Sequence, residues 1–408
     1  MSSVGEVFNL DRGGPAIGVG NPSYKADAGS PLFAECLHIR NGIKGTFMAE
    51  KGKYIYGIID SCNELLFSDI DFPASNEGSP RIKNNGGKVY SISYKGMSAV
   101  VSDSEIVDYD DLLKIEVARK LLRHQQVIEK VMENHTIIPM LLGTFAEDAD
   151  EVNNILSRGY ELMKDVFSRI TGKIEIDVAA TWSDFNLILQ EMGEKKEIKD
   201  LKAEIMTNPA GVSLDDRMKV GLMVKKALDK TKVEYALQIQ DKLRKVSRAV
   251  KNHDLMDDEM ITNTAFLVDR ARQEEFDGEL EKLDAGFDEK LNFRCIGPLP
   301  PYSFYTLETQ KMRFKEVDLA RKLFGLNDTS TVDEIKKAYQ RIAFSSHPDT
   351  NPKLSGAEEV FNNLNKAYRL LLDYCQASKQ TGAGGRCSFN QEKFKENAIL
   401  VKVKSESD

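Results

Sequence analysis

The pattern of hydrophobic and polar positions changes near residue 53. Residues 1–51 are rich in Gly, Ser, Pro and Asn and show little periodicity, which predicts a flexible N-terminal extension. The next stretch, "KYIYGIID", is short, apolar and β-rich, and predicts a buried strand. After a loop rich in Pro, Gly and Asn, two β-branched and aromatic runs flank Lys95-Gly96, which predicts a hairpin.

A helical period follows, with apolar residues at three- to five-residue steps between Asp110 and Asn134. "HTIIPMLLGTF" then predicts a strand, and Pro139 within it favours the edge of a sheet. Residues 148–170 return to a helical pattern. The order of elements predicts an α+β domain over residues 52–171, with helices on one face of a mainly antiparallel sheet.

Residues 172–309 repeat this alternation and predict a second α+β domain. "KIEIDVAATW" predicts a strand, and a long charged helical section from about Asp184 to His253 predicts a helical insertion. Later come a strand in "DEMITNTAFLVDR", a helix over residues 273–288, and two strands separated by prolines in "LNFRCIGPLPPYSFYTLE". The fold class is therefore α+β, with two units of ferredoxin-like type.

Near Gln310 the strand pattern stops and three helical segments follow. Thr331 and Glu334 have the spacing of a capping box at the start of the second segment. That helix carries an apolar stripe and an opposite basic face with Lys336, Lys337 and Arg341. The third helix has an apolar stripe too, so the pair predicts an antiparallel hairpin. We expect a small all-α domain over residues 316–376 and a flexible tail over residues 377–408.

Composition narrows the classes of function. The net charge of −8 argues against non-specific nucleic-acid binding, and no apolar run approaches the length of a membrane span. The five cysteines are odd in number, and no two have C-x-x-C spacing, so we expect reduced thiols in a cytoplasm and neither a disulfide framework nor a zinc site. No cofactor-binding motif is evident.

Three stretches between residues 52 and 308 resemble the GvpL/GvpF family of gas vesicle proteins. They are "YIYGIID", "HTIIPMLLGTFAED" and "FRCIGPLPPYSFYTLE". In the second stretch Leu141-Leu142 stands where the family generally has Arg-Phe. The resemblance implies a non-enzymatic accessory protein that binds the vesicle structural protein, other vesicle accessory proteins, or both. Such a protein would be associated with gas vesicles or their assembly intermediates.

The string "GPLPPYSF" has two interpretations from its residues alone. Adjacent prolines fix φ and favour an extended path, which could present Tyr302 and Phe304 at a strand edge as a surface for a partner. The alternative, which we favour, is a rigid crossover that places both aromatic rings in the core. The candidate partner-binding residues are Gly297, Pro298, Pro300, Pro301, Tyr302 and Phe304.

The C-terminal helices resemble the J-domain of DnaJ-type co-chaperones. Residues 318–375 contain, in order, "LFGL", "EIKKAYQRIA", "HPD" and "FNNLNKAYRLL". The resemblance implies that His347, Pro348 and Asp349 stimulate a DnaK-class heat-shock ATPase. It also implies that Lys336, Lys337 and Arg341 dock on that partner. The chain departs from the family at Phe344-Ser345-Ser346, where a basic residue and an aromatic usually precede the histidine.

Other roles for His347 are weaker. No Cys or second His stands at ligand spacing from it, which argues against a metal site. Nothing points to a catalytic nucleophile that it could activate. The remaining alternative is a plain interhelical turn, in which Pro348 restricts the backbone and Asp349 caps the next helix.

Together these patterns suggest a gas vesicle assembly factor with a fused J-domain. Two other classes stay open from the sequence. One is a general J-domain co-chaperone for clients unrelated to vesicles, and the other is a scaffold whose J-domain is degenerate.

Overall fold

A computed structural model of the protein describes residues 8–9, 51–67, 88–207, 211–346, 357–382 and 385–404. By its internal contacts the chain divides into two units. The central unit consists of Met1–His38 and Ile170–Phe304. The composite unit joins Ile39–Arg169 to Tyr305–Asp408, so its two parts are distant in sequence. The N-terminal segment contributes one short strand, β1 (Phe8–Asn9), to the central unit.

The first part of the composite unit is built on an antiparallel sheet with strand order β3-β4-β5-β2-β6, and β7 also pairs with β2. The strands are β2 (Lys51–Ile59), β3 (Leu66–Phe67), β4 (Val89–Tyr94), β5 (Met97–Glu105), β6 (Ile137–Pro139) and β7 (Phe145–Ala146). The β4–β5 hairpin turns at Lys95 and Gly96, both with positive φ, as its sequence predicts. Pro139 lies in the edge strand β6, where a missing N–H is tolerated.

Two helices complete this part, α1 (Lys114–Met132) and α2 (Ala149–Ile170). α1 packs against β2 and β6 with side chains at helical spacing: Val117, Leu121, His124, Val127, Ile128 and Val131. Gly57 in β2 allows β6 to approach closely, since a Cβ there would lie 2.7 Å from the Ile137 side chain. The predicted α+β arrangement of this region is confirmed.

The central unit has a second antiparallel sheet with strand order β1-β11-β8-β10-β9. Its other strands are β8 (Lys173–Trp182), β9 (Ala249–Asn252), β10 (Met260–Asp269) and β11 (Leu291–Leu299). Its helices are α3 (Phe185–Gly193), α4 (Lys196–Met206), α5 (Leu214–Leu243) and α6 (Gln273–Gly286). α6 packs on β10 and β11, and its buried residues Phe276, Leu280 and Leu283 recur at helical spacing.

Two predictions about the ends of these elements are wrong. The long helical section does not continue to His253, because α5 ends at Leu243 and residues 249–252 form β9, which pairs with β10. The N-terminal extension is not wholly without structure, because Phe8 and Asn9 pair with Cys295 and Arg294 in β11. In both cases short strands form by pairing to a sheet edge, which local sequence preferences do not show.

The rest of the chain is mainly helical, as predicted. A helical turn, α7 (Tyr302–Tyr305), leads into β12 (Leu307–Lys311). The three predicted helices are α8 (Phe314–Leu323), α9 (Val332–Ser346) and α10 (Ala357–Gln380), with the short strand β13 (Thr329–Ser330) before α9. α8 ends just before Gly325, whose positive φ of 64° suits a helix C-terminus.

The prediction of a flexible tail is wrong over residues 385–404, which we call the C-terminal strap. The strap contains β14 (Cys387–Ser388), α11 (Gln391–Asn397) and β15 (Ile399–Val403). Its apolar side chains Phe389, Phe394 and Leu400 lie in the same core as α8, α9 and α10. Tyr374 of α10 stacks on Phe389 and Phe394, with ring centroids 5.4 and 5.6 Å apart. The strap is therefore ordered by burial of its few aromatic and aliphatic residues.

The expectation of reduced thiols is also wrong at one pair. Cys375 of α10 and Cys387 of β14 form a disulfide, with Cα atoms 5.3 Å apart. The strap brings these cysteines together by folding back on α10, which spacing along the sequence does not show. Cys62 is a free, exposed cysteine and Cys295 is free and buried, where burial raises the pKa of its thiol to about 12.

The helical region is attached to the first sheet region of the composite unit at both of its ends. β12 and β15 pair antiparallel from Leu307↔Val403 to Lys311↔Ile399. The Leu141 N–H donates to the Leu307 carbonyl at 2.7 Å, and Lys311 forms an ion pair with Glu151 of α2. Gly159 of α2 accommodates the strap, since a Cβ there would lie 2.9 Å from the Val401 side chain.

Candidate functional site

The exposed face of α9 is the first candidate site. Lys336, Lys337 and Arg341 are all exposed on this helix, as their spacing predicts. Ile335, on the opposite side, is fully buried in the helical core. The helix therefore separates an apolar side from a cationic side that is available to an acidic partner.

The start of α9 is fixed by the predicted capping box. The Thr331 N–H donates to the Glu334 carboxylate at 2.8 Å, and the Glu334 N–H donates to the Thr331 hydroxyl at 3.2 Å. These hydrogen bonds lower the pKa of Glu334, the bond from the Thr331 backbone being the main cause. Arg386 of the strap contacts the same carboxylate at 3.3 Å and also donates to the Thr329 carbonyl.

The apolar side of α9 is joined to α10 by two stacked tyrosines. The rings of Tyr339 and Tyr368 lie 4.2 Å apart between centroids and are nearly parallel. The Tyr339 hydroxyl also donates to the Asn365 side chain at 2.7 Å. This contact orients α9 about its axis, so that the basic side chains face away from α10.

His347, Pro348 and Asp349 lie outside the described residues. α9 ends at Ser346 and α10 begins at Ala357, so the segment between them connects the two packed helices. Phe344, the first residue of the departure from the family, lies near the end of α9 and is 78% exposed.

The proline-rich string is the second candidate site, and its conformation differs from the prediction. Residues after Pro301 do not continue as an extended edge, because Tyr302–Tyr305 turn into α7. Tyr302 and Phe304 are half-buried, so neither the surface interpretation nor the core interpretation describes them fully. Gly297 lies against β8, where a Cβ would be 3.1 Å from the Glu175 carbonyl oxygen. The Gly297–Pro298 peptide bond is cis.

Ser303, which the sequence patterns did not single out, holds this turn in place. Its N–H and hydroxyl donate to the two carboxylate oxygens of Glu175 at 2.8 and 2.7 Å. Lys251 donates to the Ser303 carbonyl, and His253 lies 3.1 Å from the Ser303 hydroxyl. Glu175 is only 1% exposed, so its partners compensate for the loss of water around its carboxylate.

The only signal for Ser303 in the sequence is its place two residues after a proline-proline pair. Glu175 is 128 residues earlier, within the alternating strand β8, where a charged residue would ordinarily face solvent. The arrangement anchors the end of the proline-rich string to the sheet. It gives Pro300, Pro301 and their neighbours a fixed position, but their role in partner binding stays a prediction.

Among the helices in the described ranges, none combines the length and the apolar character that a membrane span requires. No cluster of three or more His, Cys, Asp or Glu side chains in the same ranges is placed to hold a metal ion.

Comparison with known proteins identifies both parts of the chain. Residues 52–306 match the gas vesicle synthesis protein GvpL/GvpF family, and residues 322–379 match the DnaJ domain. The first match covers more than half of the chain. The protein belongs to the GvpL/GvpF family, and it carries a DnaJ domain after the family region.

Relatives agree with this division. Gas vesicle protein F of Nostoc sp. is 25% identical, over 52% of this chain and 91% of the relative. Gas vesicle protein F2 of Halobacterium salinarum is 26% identical, over 63% of this chain and 93% of the relative. The C-terminal region is 41% identical to chaperone protein dnaJ 49 of Arabidopsis thaliana, over 16% of this chain and 22% of that protein.

A solved structure supports the fold. The crystal structure of GvpF from Anabaena sp. PCC7120 matches 62% of this chain and 98% of its own, with a TM-score of 0.51 and 24% identity. The resemblance inferred from the three GvpL/GvpF stretches and from the J-domain motifs is confirmed.

Proposed function

We propose that this protein is a non-enzymatic accessory factor in gas vesicle assembly that brings a DnaK-class ATPase to vesicle proteins. The observation that carries the proposal is the presence of both families in one chain. The family region would bind the vesicle structural protein or other accessory proteins. The J-domain would engage the ATPase through Lys336, Lys337 and Arg341 and through His347, Pro348 and Asp349.

The physical problem of vesicle assembly supports this division of labour. Apolar, β-rich subunits aggregate through exposed strand edges unless another protein covers them. A J-domain in the same chain as the binding region raises the local concentration of the ATPase at its client. Attachment of the J-domain through both β12 and β15 supports a defined position relative to the first sheet of the composite unit.

The J-domain role is tested by ATPase stimulation with the full chain. We expect His347→Gln, and separately the triple variant Lys336→Ala, Lys337→Ala, Arg341→Ala, to abolish most of the stimulation of a purified DnaK-class partner. Lys395→Ala, an exposed lysine of α11, is the matched control and should leave stimulation intact. Unchanged stimulation by His347→Gln would show that the J-domain is degenerate.

The vesicle role is tested by co-purification from a host that carries the vesicle genes. The full chain should retain vesicle proteins, and the same chain lacking residues 52–308 should not. Equal recovery with both would refute binding through the family region and favour a general co-chaperone.

A further inference from the structure

The first half of α5 carries an exposed apolar stripe. Leu214, Met218 and Leu222 are 75%, 65% and 70% exposed. Residues four apart on a helix lie along one ridge, so the three side chains form a continuous row. No other described part of the chain covers this row.

The opposite side of the same helix segment is partly buried. Val220 and Val224 are half-buried on that side, and α5 as a whole contacts α3 and α4. A helix with neighbours on one side only is normally apolar on that side and polar on the other. This segment is apolar on both sides, which is the pattern of a helix that packs between two neighbours.

The charges around the stripe are not balanced. Asp215 forms an ion pair with Lys219 at 2.8 Å, and Asp216 accepts hydrogen bonds from the hydroxyl and N–H of Ser213 at 2.6 and 3.1 Å. The carboxylates of both acidic residues in the segment therefore already have partners at the start of the same helix. Three exposed cations near the stripe form no ion pair with any described residue: Arg217, Lys225 and Lys226.

We propose that this face of α5 is a docking surface for an amphipathic helix of another gas vesicle protein. The docked helix would have an apolar row that packs on Leu214, Met218 and Leu222, and acidic side chains beside that row that pair with the three cations. The identity of the partner as a vesicle protein rests on the proposed function.

A second copy of this chain fits the surface less well. Two copies would place unpaired cations opposite each other, since the acids of the segment are already engaged. Three side chains also cover far less than the roughly 800 Å² per partner of a standard stable interface. The surface suits one contact within a larger assembly.

The test compares full-length variants for binding to purified vesicle structural and accessory proteins, each measured alone. We expect Met218→Glu to weaken binding to at least one of them by about tenfold or more, because it places a carboxylate in the apolar contact. Lys225→Glu with Lys226→Glu should weaken the same complex and reduce its dependence on salt. Leu237→Glu, at an exposed apolar residue of α5 about five turns beyond Met218, should bind as the unchanged protein does.

The outcomes separate this proposal from the proposed function. If the unchanged protein binds vesicle proteins and Met218→Glu binds them equally well, the docking surface is refuted while the function stands. If the unchanged protein binds none of them, the function itself fails.

Loss of self-association in Met218→Glu, with no change in vesicle-protein binding, would assign the stripe to a second copy. Loss of flotation with phosphatidylglycerol vesicles alone would assign it to a lipid surface. Either result would overturn the proposal.

Discussion

At the scale of single residues, His124 shows how a polar side chain can belong to the core. It belongs to α1 and is buried on the side of this helix that packs against β2, where its Nδ1 lies 2.8 Å from the Tyr54 hydroxyl. Its Nε2 lies 3.1 Å from the Met140 carbonyl, which can only accept, so Nε2 carries the proton and Nδ1 accepts from Tyr54. Both ring nitrogens are satisfied by the neutral imidazole.

This arrangement predicts a pH-dependent loss of stability. Burial lowers the pKa of His124 from 6.5 to about 4, so between these values the unfolded state binds a proton that the folded state does not. The free energy of unfolding should therefore fall as the pH drops below about 6.5, by roughly 2 kcal/mol between about pH 7.5 and about pH 5. Urea denaturation at a series of pH values measures this slope.

A histidine elsewhere in the same unit provides the comparison. His124→Gln should remove this part of the slope, whereas His135→Gln should keep it, because His135 is only half-buried. An unchanged slope in His124→Gln would mean that other groups, such as carboxylates, cause the acid destabilisation.

At the scale of secondary-structure elements, the C-terminal strap changes what the J-domain consists of. The DnaJ match ends at residue 379, but the hydrophobic core of α8, α9 and α10 includes residues from the strap. Phe394 of α11 contacts Phe314 of α8 and Tyr374 of α10, with ring centroids 5.4 and 5.6 Å apart. α11 is thus a fourth helix of this core.

Truncation of Phe394 should therefore destabilise the helical region. Phe394→Ala removes a buried ring that touches two helices, and we expect a loss of about 3 to 5 kcal/mol in the free energy of unfolding. Lys395→Ala, at the next and exposed position, should change it by less than about 0.5 kcal/mol. Hydrogen exchange of the α8 and α10 amides would localise the effect, and equal protection in both variants would contradict it.

At the scale of the whole molecule, the J-domain is fastened at both ends rather than appended by a free linker. Its first end is β12, which follows the family region directly, and its second end is β15, which returns to pair with β12. The Arg158 side chain of α2 donates to the Ile399 carbonyl at 3.4 Å, which adds a contact to the first part of the composite unit. The chain thus closes a loop of about ninety residues with one strand pair.

Removal of the strap should eliminate the β12–β15 pairing that joins the two ends of the J-domain. A chain that ends at Gln380 loses β15, so the backbone groups of β12 that pair with it become unpaired. We expect limited proteolysis to cleave this chain near residues 306–313, while the full chain resists there. A chain that ends at Lys404, which keeps β15, is the control and should resist as the full chain does. Equal resistance of all three would show that β12 is held without the strap.

Much of the fold was predictable because local pattern and tertiary structure agree. β8 spans the residues of "KIEIDVAATW", and the α6 contacts are those of its helical period. The J-domain helices and their capping box also follow from spacing alone. In each case one face of the element is buried, so the spacing of its apolar residues shows which face lies against the core.

The errors have a common cause. β1, β9 and the strap strands are only two to five residues long. β9 pairs with the next strand, β10, and the others pair with strands that are distant in sequence. The Cys375–Cys387 disulfide and the Glu175–Ser303 hydrogen bonds likewise join residues that the fold brings together. A short window of sequence contains no information about such partners.

The sequence by itself determined the family, the order of the main elements and the exposed basic face of α9, because these depend on motifs and on helical or strand period. Only the tertiary structure decided that the tail is part of the J-domain core, that the J-domain is closed by β12 and β15, and that one side of α5 is left apolar and exposed. These results depend on which surfaces meet. Which surfaces come into contact depends on packing across the whole chain and cannot be read from any one segment.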